Sequence, residues 1–234
     1  MINLRLFKNV LFSLNLIMGL LVFMVMAGVF IFPFYLELVL GYKTQEVGMI
    51  MMTVPVIMGL VAPVAGSLSD RLGVRGISLL GLVVVAAACL SIGTLHEGVS
   101  TLGYILRVAP LGLGMGLFVS PNNSAIMGAA PKDQLGVTSG LLALTRTLGH
   151  TSGIPLIGVI FTAQVLAAGG LNFFSNPALV PAEALVKGVN GTYHLAALVV
   201  ATATILAAVA MWLDRRRNKL DQVSLERPAK EPVE

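Results

Sequence analysis

The sequence predicts an all-α membrane protein with six transmembrane helices, and three observations lead to this fold class. Hydrophobic residues make up 56% of the 234 residues and charged residues only 11%, which lies outside the range of soluble globular domains. Six apolar stretches are each long enough to cross the roughly 30 Å hydrocarbon core of a bilayer as a helix. Basic residues are concentrated in alternate loops. The composition therefore excludes a soluble enzyme.

The six predicted spans differ in how many polar residues they contain. They cover residues 9–36, 47–69, 76–95 and, approximately, 101–127, 137–166 and 193–213. The first three contain no Asp, Glu, Lys or Arg, whereas Arg107 lies in the fourth span and Arg146 and His150 lie in the fifth. The first span is too long for the apolar part of a cleaved signal peptide, so we expect it to remain in the mature chain.

The distribution of basic residues predicts the orientation in the membrane. If the spans alternate, eleven of the 15 Lys and Arg residues fall on one side and only Lys43 and Lys187 on the other, while Arg107 and Arg146 lie within spans. The positive-inside rule then places both termini in the cytoplasm. We expect a cytoplasmic N-terminal segment (1–9), a six-span domain (10–213) and a disordered, basic cytoplasmic tail (214–234) in a protein of the plasma (inner) membrane.

Two further features of the sequence are pairs of glycines within the spans and one long segment outside them. Pairs of glycines one helical turn apart predict close contacts between helices, or a sliding surface used in a conformational cycle: Gly112/Gly116, Gly136/Gly140 and Gly149/Gly153. The longest segment outside the spans, residues 166–192, is predicted to be a loop with at most one short interfacial helix.

The loop between the second and third spans, GSLSDRLGVRG at residues 66–76, carries the most specific motif. It resembles the signature loop of the major facilitator superfamily, G-x-L-[AS]-D-R-x-G-R-[KR], with Val74 in place of one closing basic residue. The resemblance implies a gating loop formed by Gly66, Asp70, Arg71, Gly73 and Arg75. A carboxylate and arginines beside a tight glycine turn can form a charge-assisted latch against a neighbouring helix. The alternative is a solvated loop that only follows the positive-inside rule.

Other stretches resemble one branch of that superfamily, the fourteen-helix drug:proton antiporters. These stretches are LRLFKNVLF, PFYLELVLGYKTQEVGMIMMTVP and the segment from Gly112 to Gly153. The resemblance implies the C-terminal six-helix half of a transporter that exports a hydrophobic drug or another small molecule in exchange for protons. Such transporters bind substrate between two halves. The implied partners are the lipid bilayer, the substrate, and a missing N-terminal half or a second copy.

Polar residues inside the spans are the candidate cavity or coupling residues. An arginine in a span costs several kcal/mol on insertion scales, so Arg107 and Arg146 need a partner or a water-filled cavity. His150 follows Arg146 by one turn, although a packing role for this histidine is the simpler interpretation. Asn122 and Asn123 of the fourth span are further candidates. The proton-carrying acids of the branch belong to its N-terminal half and have no equivalent in this sequence.

Two alternatives remain open at this stage. A self-sufficient six-helix protein could act as a homodimer, with His150 or Glu37 carrying the proton. An intramembrane serine protease would need Ser139 and His194 to meet on different helices. The single cysteine, Cys89, excludes an intrachain disulfide and a thiolate metal cluster, and we predict no catalytic residues, cofactor or metal site. The scattered charges form no stripe for nucleic acid.

Overall fold

The structure is a computed structural model that describes residues 4–170, 173 and 179–225, with side chains described for 6–170, 173 and 179–212. The described residues contain helices and no strand, and six of the helices are long and apolar enough to cross a membrane. These six are α1 (Val10–Val39), α2 (Thr44–Leu72), α3 (Val74–Ile92), α4 (Thr101–Gly128), α5 (Leu135–Ala167) and α6 (Ala182–Leu225). The predicted all-α membrane fold with six spans is confirmed.

Helix α1 is the least regular of the six. It is α-helical over Val10–Met26, tightens to a 3-10 helix over Ala27–Ile31 and widens to a π-helix over Tyr35–Val39. Pro33 lies between the two irregular segments. Proline lacks a backbone N–H and its ring clashes with the carbonyl one turn earlier, which favours irregular helix geometry around this position.

Glycines set the contacts between the helices. A Cβ atom at Gly112 would lie 2.6 Å from the Val54 carbonyl oxygen on α2, and one at Gly114 would lie 2.7 Å from the Val85 nitrogen on α3. On α5, a Cβ atom at Gly153 would lie 2.6 Å from the Met24 carbonyl oxygen of α1. Close backbone approach of this kind is typical of helix association in membranes, where lipid gives no hydrophobic drive between helices.

These contacts arrange the bundle as two groups of three helices. Helices α2, α3 and α4 form one group, and α1, α5 and α6 form the other, with α3 and α6 packed against each other between them. Helices α2 and α5 lie at the periphery and have the smallest buried shares of the six. These two helices therefore expose a larger share of their residues than the other four spans do.

The sixth helix differs from the prediction at both ends. It begins at Ala182, eleven residues before the predicted start at Tyr193, because its polar residues have partners. Lys187 forms an ion pair of 2.7 Å with Glu183, and Asn190 Nδ2 donates a hydrogen bond of 3.0 Å to the Leu95 carbonyl oxygen. The predicted loop 166–192 is correspondingly shorter. The helix continues to Leu225, into the predicted tail, and residues 226–234 lie outside the described residues.

Candidate functional site

Helix α5 exposes polar side chains in the middle of its length. Arg146, Thr147 and Thr151 are all exposed, and Arg146 lies within roughly 5 Å of the midpoint of the 36-residue span Lys132–Ala167 at 1.5 Å per residue. A guanidinium at this depth is costly in contact with hydrocarbon. This side of α5, which we call the α5 face, is therefore suited to a water-filled cavity.

Arg146 is held in place by an aromatic ring of the neighbouring helix. Its guanidinium carbon lies 5.3 Å from the centroid of the Phe23 ring on α1. The same ring lies 5.5 Å from the imidazole of His150, one turn further along α5. Phe23 itself is buried. Arg146 and His150 are thus brought together against one aromatic ring, a contact that the sequence alone does not indicate.

Asn122 lies behind the α5 face, at the point where α1, α4 and α5 meet. It is buried, and its Nδ2 atom donates a hydrogen bond of 3.3 Å to the Asn15 carbonyl oxygen. A Cβ atom at Gly19 would lie 3.5 Å from that Nδ2 and 3.7 Å from Thr145. Among the described residues, Asn122 Oδ1 has no hydrogen-bond partner. The adjacent Asn123 is half-buried.

Arg107 lies apart from this group. Its Nε donates a hydrogen bond of 3.2 Å to Thr94 Oγ1 beyond the end of α3, and its Nη1 donates one of 2.9 Å to the Gly103 carbonyl oxygen. It is half-buried near the first turns of α4, at the end of the bundle opposite the signature loop. These two partners account for its presence in an apolar helix.

The signature loop is a single-residue turn between two helices. Helix α2 ends at Leu72, Gly73 has a φ of +93°, and α3 begins at Val74, so Gly73 forms the tight turn with a positive φ. This region of φ favours glycine because it has no Cβ atom. A Cβ atom at Gly66 would lie 3.3 Å from Ser120 Oγ, which shows a close approach of α2 to α4.

The charged residues of the loop have different environments. Asp70 and Arg71 are exposed, whereas the Nη1 of Arg75 donates a hydrogen bond to the Ala210 carbonyl oxygen on α6. The loop therefore joins the two groups of helices through Arg75. A cavity of about 610 Å³ opens beside it, and its lining residues include Asn9, Asn15, Arg75 and Ser124.

The two residues required for a serine protease are not brought together. His194 packs against Gly93, near the end of α3 opposite the signature loop. Its neighbour on α6, Gly191, abuts Gln164 of α5, whereas Ser139 lies near the other end of α5. The intervening length of α5 corresponds to roughly 30 Å or more at 1.5 Å per residue. Ser139 and His194 therefore cannot form a catalytic pair in this structure.

Comparison with protein families decides the family of the chain. The sequence model described as Major Facilitator Superfamily matches residues 2–154. The chain belongs to this superfamily. The match includes the signature loop and Arg146, and the six spans are those of a multi-pass membrane protein.

Curated relatives in the superfamily are transporters. The chain is 32% identical over 211 residues to the riboflavin transporter RibZ of Clostridioides difficile (strain 630), an alignment that covers 90% of the chain and 45% of that protein. It is 29% identical over 160 residues to the multidrug transporter protein MdtP of Bacillus subtilis (strain 168), covering 68% of the chain and 30% of MdtP.

A third relative is a resistance protein. The chain is 29% identical over 167 residues to the tetracenomycin C resistance and export protein of Streptomyces glaucescens, covering 69% of the chain and 30% of that protein. The chain spans less than half the length of each of these three relatives. Its similarity is therefore to part of a major facilitator transporter.

Proposed function

We propose that the chain forms one wall of an efflux transporter for hydrophobic small molecules. The observation that carries this proposal is the α5 face, where Arg146 is exposed near the middle of a membrane-spanning helix. An ionised residue at this depth is by default a sign of a substrate or ion pathway. The export and multidrug functions named for MdtP and the tetracenomycin C protein support the direction and the substrate class.

The second wall, in this proposal, is another six-helix unit. Transporters of this kind bind substrate near the bilayer midplane, at the interface between two repeats. An N-terminal half of the fourteen-helix branch is the first candidate, and the partial coverage of RibZ, MdtP and the tetracenomycin C protein supports it. A second copy of the chain is the alternative candidate.

Proton coupling would then depend on the opposite wall. The Asp and Glu residues of the sequence lie at span ends, in loops or in the tail, so no carboxylate is available near the middle of a span. Efflux in exchange for protons needs a group that binds and releases a proton inside the membrane. We propose that the second unit supplies this carboxylate; in a homodimer the role would pass to His150.

The proposed orientation places both termini and the signature loop in the cytoplasm, with Asp70 and Arg71 as part of a latch between the two walls. Single cysteines at Lys43 and Arg71, introduced in a Cys89→Ala background, should be labelled by an impermeant thiol reagent from outside and from inside, respectively. Reversed labelling would contradict the orientation.

The latch is tested by a substitution at Asp70. In an active transporter, Asp70→Asn should reduce transport sharply and leave membrane insertion unchanged. Transport at the wild-type rate would mean that Asp70 is only a solvated loop charge.

The test of the function uses everted membrane vesicles and a panel of hydrophobic dyes of either charge. The chain alone is compared with the chain joined to an N-terminal half from the fourteen-helix branch, and dye-induced proton release is measured. We expect no proton release from the chain alone and release from the joined protein. Release from the chain alone that is abolished by His150→Ala would instead establish the homodimer. An N-terminal half expressed without the chain serves as the control.

A further inference from the structure

We propose that Arg146 binds an oxyanion of the transported molecule, so that the α5 face selects organic anions over organic cations. This inference rests on the proposed function, because it assigns a substrate class to the same face. The exposed charge of Arg146, its contact with Phe23 and the absence of acids near the middle of the spans all support it.

The contact with Phe23 orients Arg146 for this task. The guanidinium carbon lies 5.3 Å from the ring centroid, a distance typical of a cation over an aromatic face. The guanidinium is planar, and its N–H donors form a fork that matches the geometry of a carboxylate. Because Phe23 is buried, it can fix the arginine without occupying the space in front of it.

Among the residues whose side chains the structure describes, no acid takes up the donors of Arg146. Among the described side chains, no carboxylate lies within ion-pair distance of Arg146. The acids of the described spans all lie near span ends, far from Arg146 along the helices. They are Glu37 of α1, Glu46 and Asp70 of α2, Asp133 just before α5 and Glu183 in the first turn of α6. His150, which contacts the same Phe23 ring, carries no negative charge. An anion from outside the six-helix unit is therefore the complementary partner.

The charge is also placed where it has a large effect on affinity. At an effective dielectric of about 20, one unit charge about 10 Å from another changes a binding constant by roughly tenfold. A ligand against the α5 face meets Arg146 with no compensating negative charge on this wall. A second copy of the chain would add a second Arg146 to the cavity, so a homodimer would favour anions more strongly.

The test compares two dyes built on the same xanthene ring, the anion fluorescein and the cation tetramethylrosamine. The 234-residue chain is placed in nanodiscs of phosphatidylcholine, and binding is followed by fluorescence anisotropy, with empty nanodiscs subtracted. We expect fluorescein to bind at least about tenfold more tightly than tetramethylrosamine, as one uncompensated charge predicts.

Three variants separate the roles of charge and geometry. Arg146→Gln should weaken fluorescein binding by about tenfold or more, the loss that follows removal of a hydrogen bond to a charged group. It should leave tetramethylrosamine binding unchanged or slightly tighter. Arg146→Lys keeps the charge but not the planar fork, so it should retain an intermediate preference for fluorescein. Lys132→Gln, which removes an exposed positive charge before α5, is the matched control and should behave as the wild type.

Several results would overturn the inference. They are equal affinities for the two dyes, tighter binding of tetramethylrosamine, no saturable fluorescein binding above that of empty nanodiscs, or an Arg146→Gln variant with unchanged fluorescein affinity. If Arg146→Gln fails to insert, the affinities of the wild type for the two dyes and the fluorescein affinity of Arg146→Lys still test the inference. The proposed function fails separately: vesicles of the joined protein without dye-dependent proton release would contradict efflux, while a retained preference of the chain for fluorescein would still support the anion site.

Discussion

Helices α2 and α5 are the two least buried spans, yet they expose different chemistry. The exposed side of α2 is a continuous apolar strip formed by Met49, Met52, Val56, Leu60 and Val64. The exposed side of α5 carries leucines as well, but also Arg146, Thr147 and Thr151. Low burial alone therefore does not identify a functional surface in a membrane protein. The polarity of what is exposed, and its depth, separates a face that lipid can cover from one that it cannot.

The two faces also differ in how they are supported. Arg146 makes a cation–π contact with Phe23 of α1, so its position depends on a second helix of the same group. The apolar strip of α2 needs no such support because hydrocarbon or an apolar protein surface can cover it equally well. The exposed charge on the α5 face must consequently be solvated by water or covered by a ligand or a second unit.

The largest effect should come from placing a carboxylate on each face in turn. Leu60, 71% exposed, lies near the middle of α2, and Leu60→Glu should cost about 3 kcal/mol, the insertion penalty of a charged side chain at the bilayer centre. Thr147→Glu should cost much less, because it enters a face that already carries a charge of opposite sign. The measurement is the yield of inserted, folded chain together with its resistance to reversible unfolding in mixed micelles.

Leu60→Gln and Thr147→Gln are the uncharged controls for this comparison. They show how much of each effect comes from polarity rather than from charge. Similar losses for the two Glu variants would mean that both faces are covered by hydrocarbon. The distinction between α2 and α5 would then be wrong.

A smaller effect should distinguish the two sides of α5 itself. Gly153 faces α1, and a Cβ atom there would lie 2.6 Å from a backbone carbonyl oxygen, so Gly153→Leu should destabilise the protein by about 2 kcal/mol through overpacking. Gly140 has no atom within 4 Å of its Cβ position, and Gly140→Leu should change the free energy of unfolding little. Reversible unfolding of the two variants tests this. A large loss at Gly140 would place a neighbour against the α5 face within this chain.

Much of the fold could be predicted because a membrane allows few solutions. Backbone groups in hydrocarbon must be paired within a helix, so each long apolar stretch specifies one span. The start of α6 was predicted too late because Glu183, Lys187 and Asn190 have the composition of a loop. Their partners, an ion pair on the same helix and a carbonyl oxygen on another segment, become visible only in three dimensions.

The candidate site was predictable in part for the same reason. An arginine in an apolar stretch is conspicuous, so Arg146 could be found from the sequence, and its spacing to His150 places both on one side of a helix. Phe23 could not be found, because nothing in an aromatic residue of another span indicates which cation it contacts. Spacing likewise could not separate the glycine pair at 149/153, which packs against α1, from the pair at 136/140, which has no neighbour within 4 Å.

The smallest effect concerns the two intramembrane arginines. Arg107 donates hydrogen bonds to Thr94 and Gly103, so Arg107→Gln should lower the free energy of unfolding by about 2 kcal/mol, because two hydrogen bonds worth about 1 kcal/mol each are lost. Arg146→Gln removes an exposed charge whose described contact is a cation–π interaction, worth about 0.5–1 kcal/mol at exposed sites. Because the α5 face is suited to water, little insertion cost is relieved by the change, and the loss for Arg146→Gln should not exceed about 1 kcal/mol.

Unfolding of both variants under identical conditions measures this difference, and Thr94→Val, which removes one partner of Arg107, should reproduce part of the loss seen for Arg107→Gln. Replacing a residue that is retained for stability lowers the free energy of unfolding of the protein. Replacing a residue that faces a pathway leaves that free energy nearly unchanged and alters binding or transport. A greater loss of stability at Arg146 than at Arg107 would reverse the two assignments. Arg146 would then be a packing residue, and the polar character of the α5 face would no longer distinguish it from the apolar strip of α2.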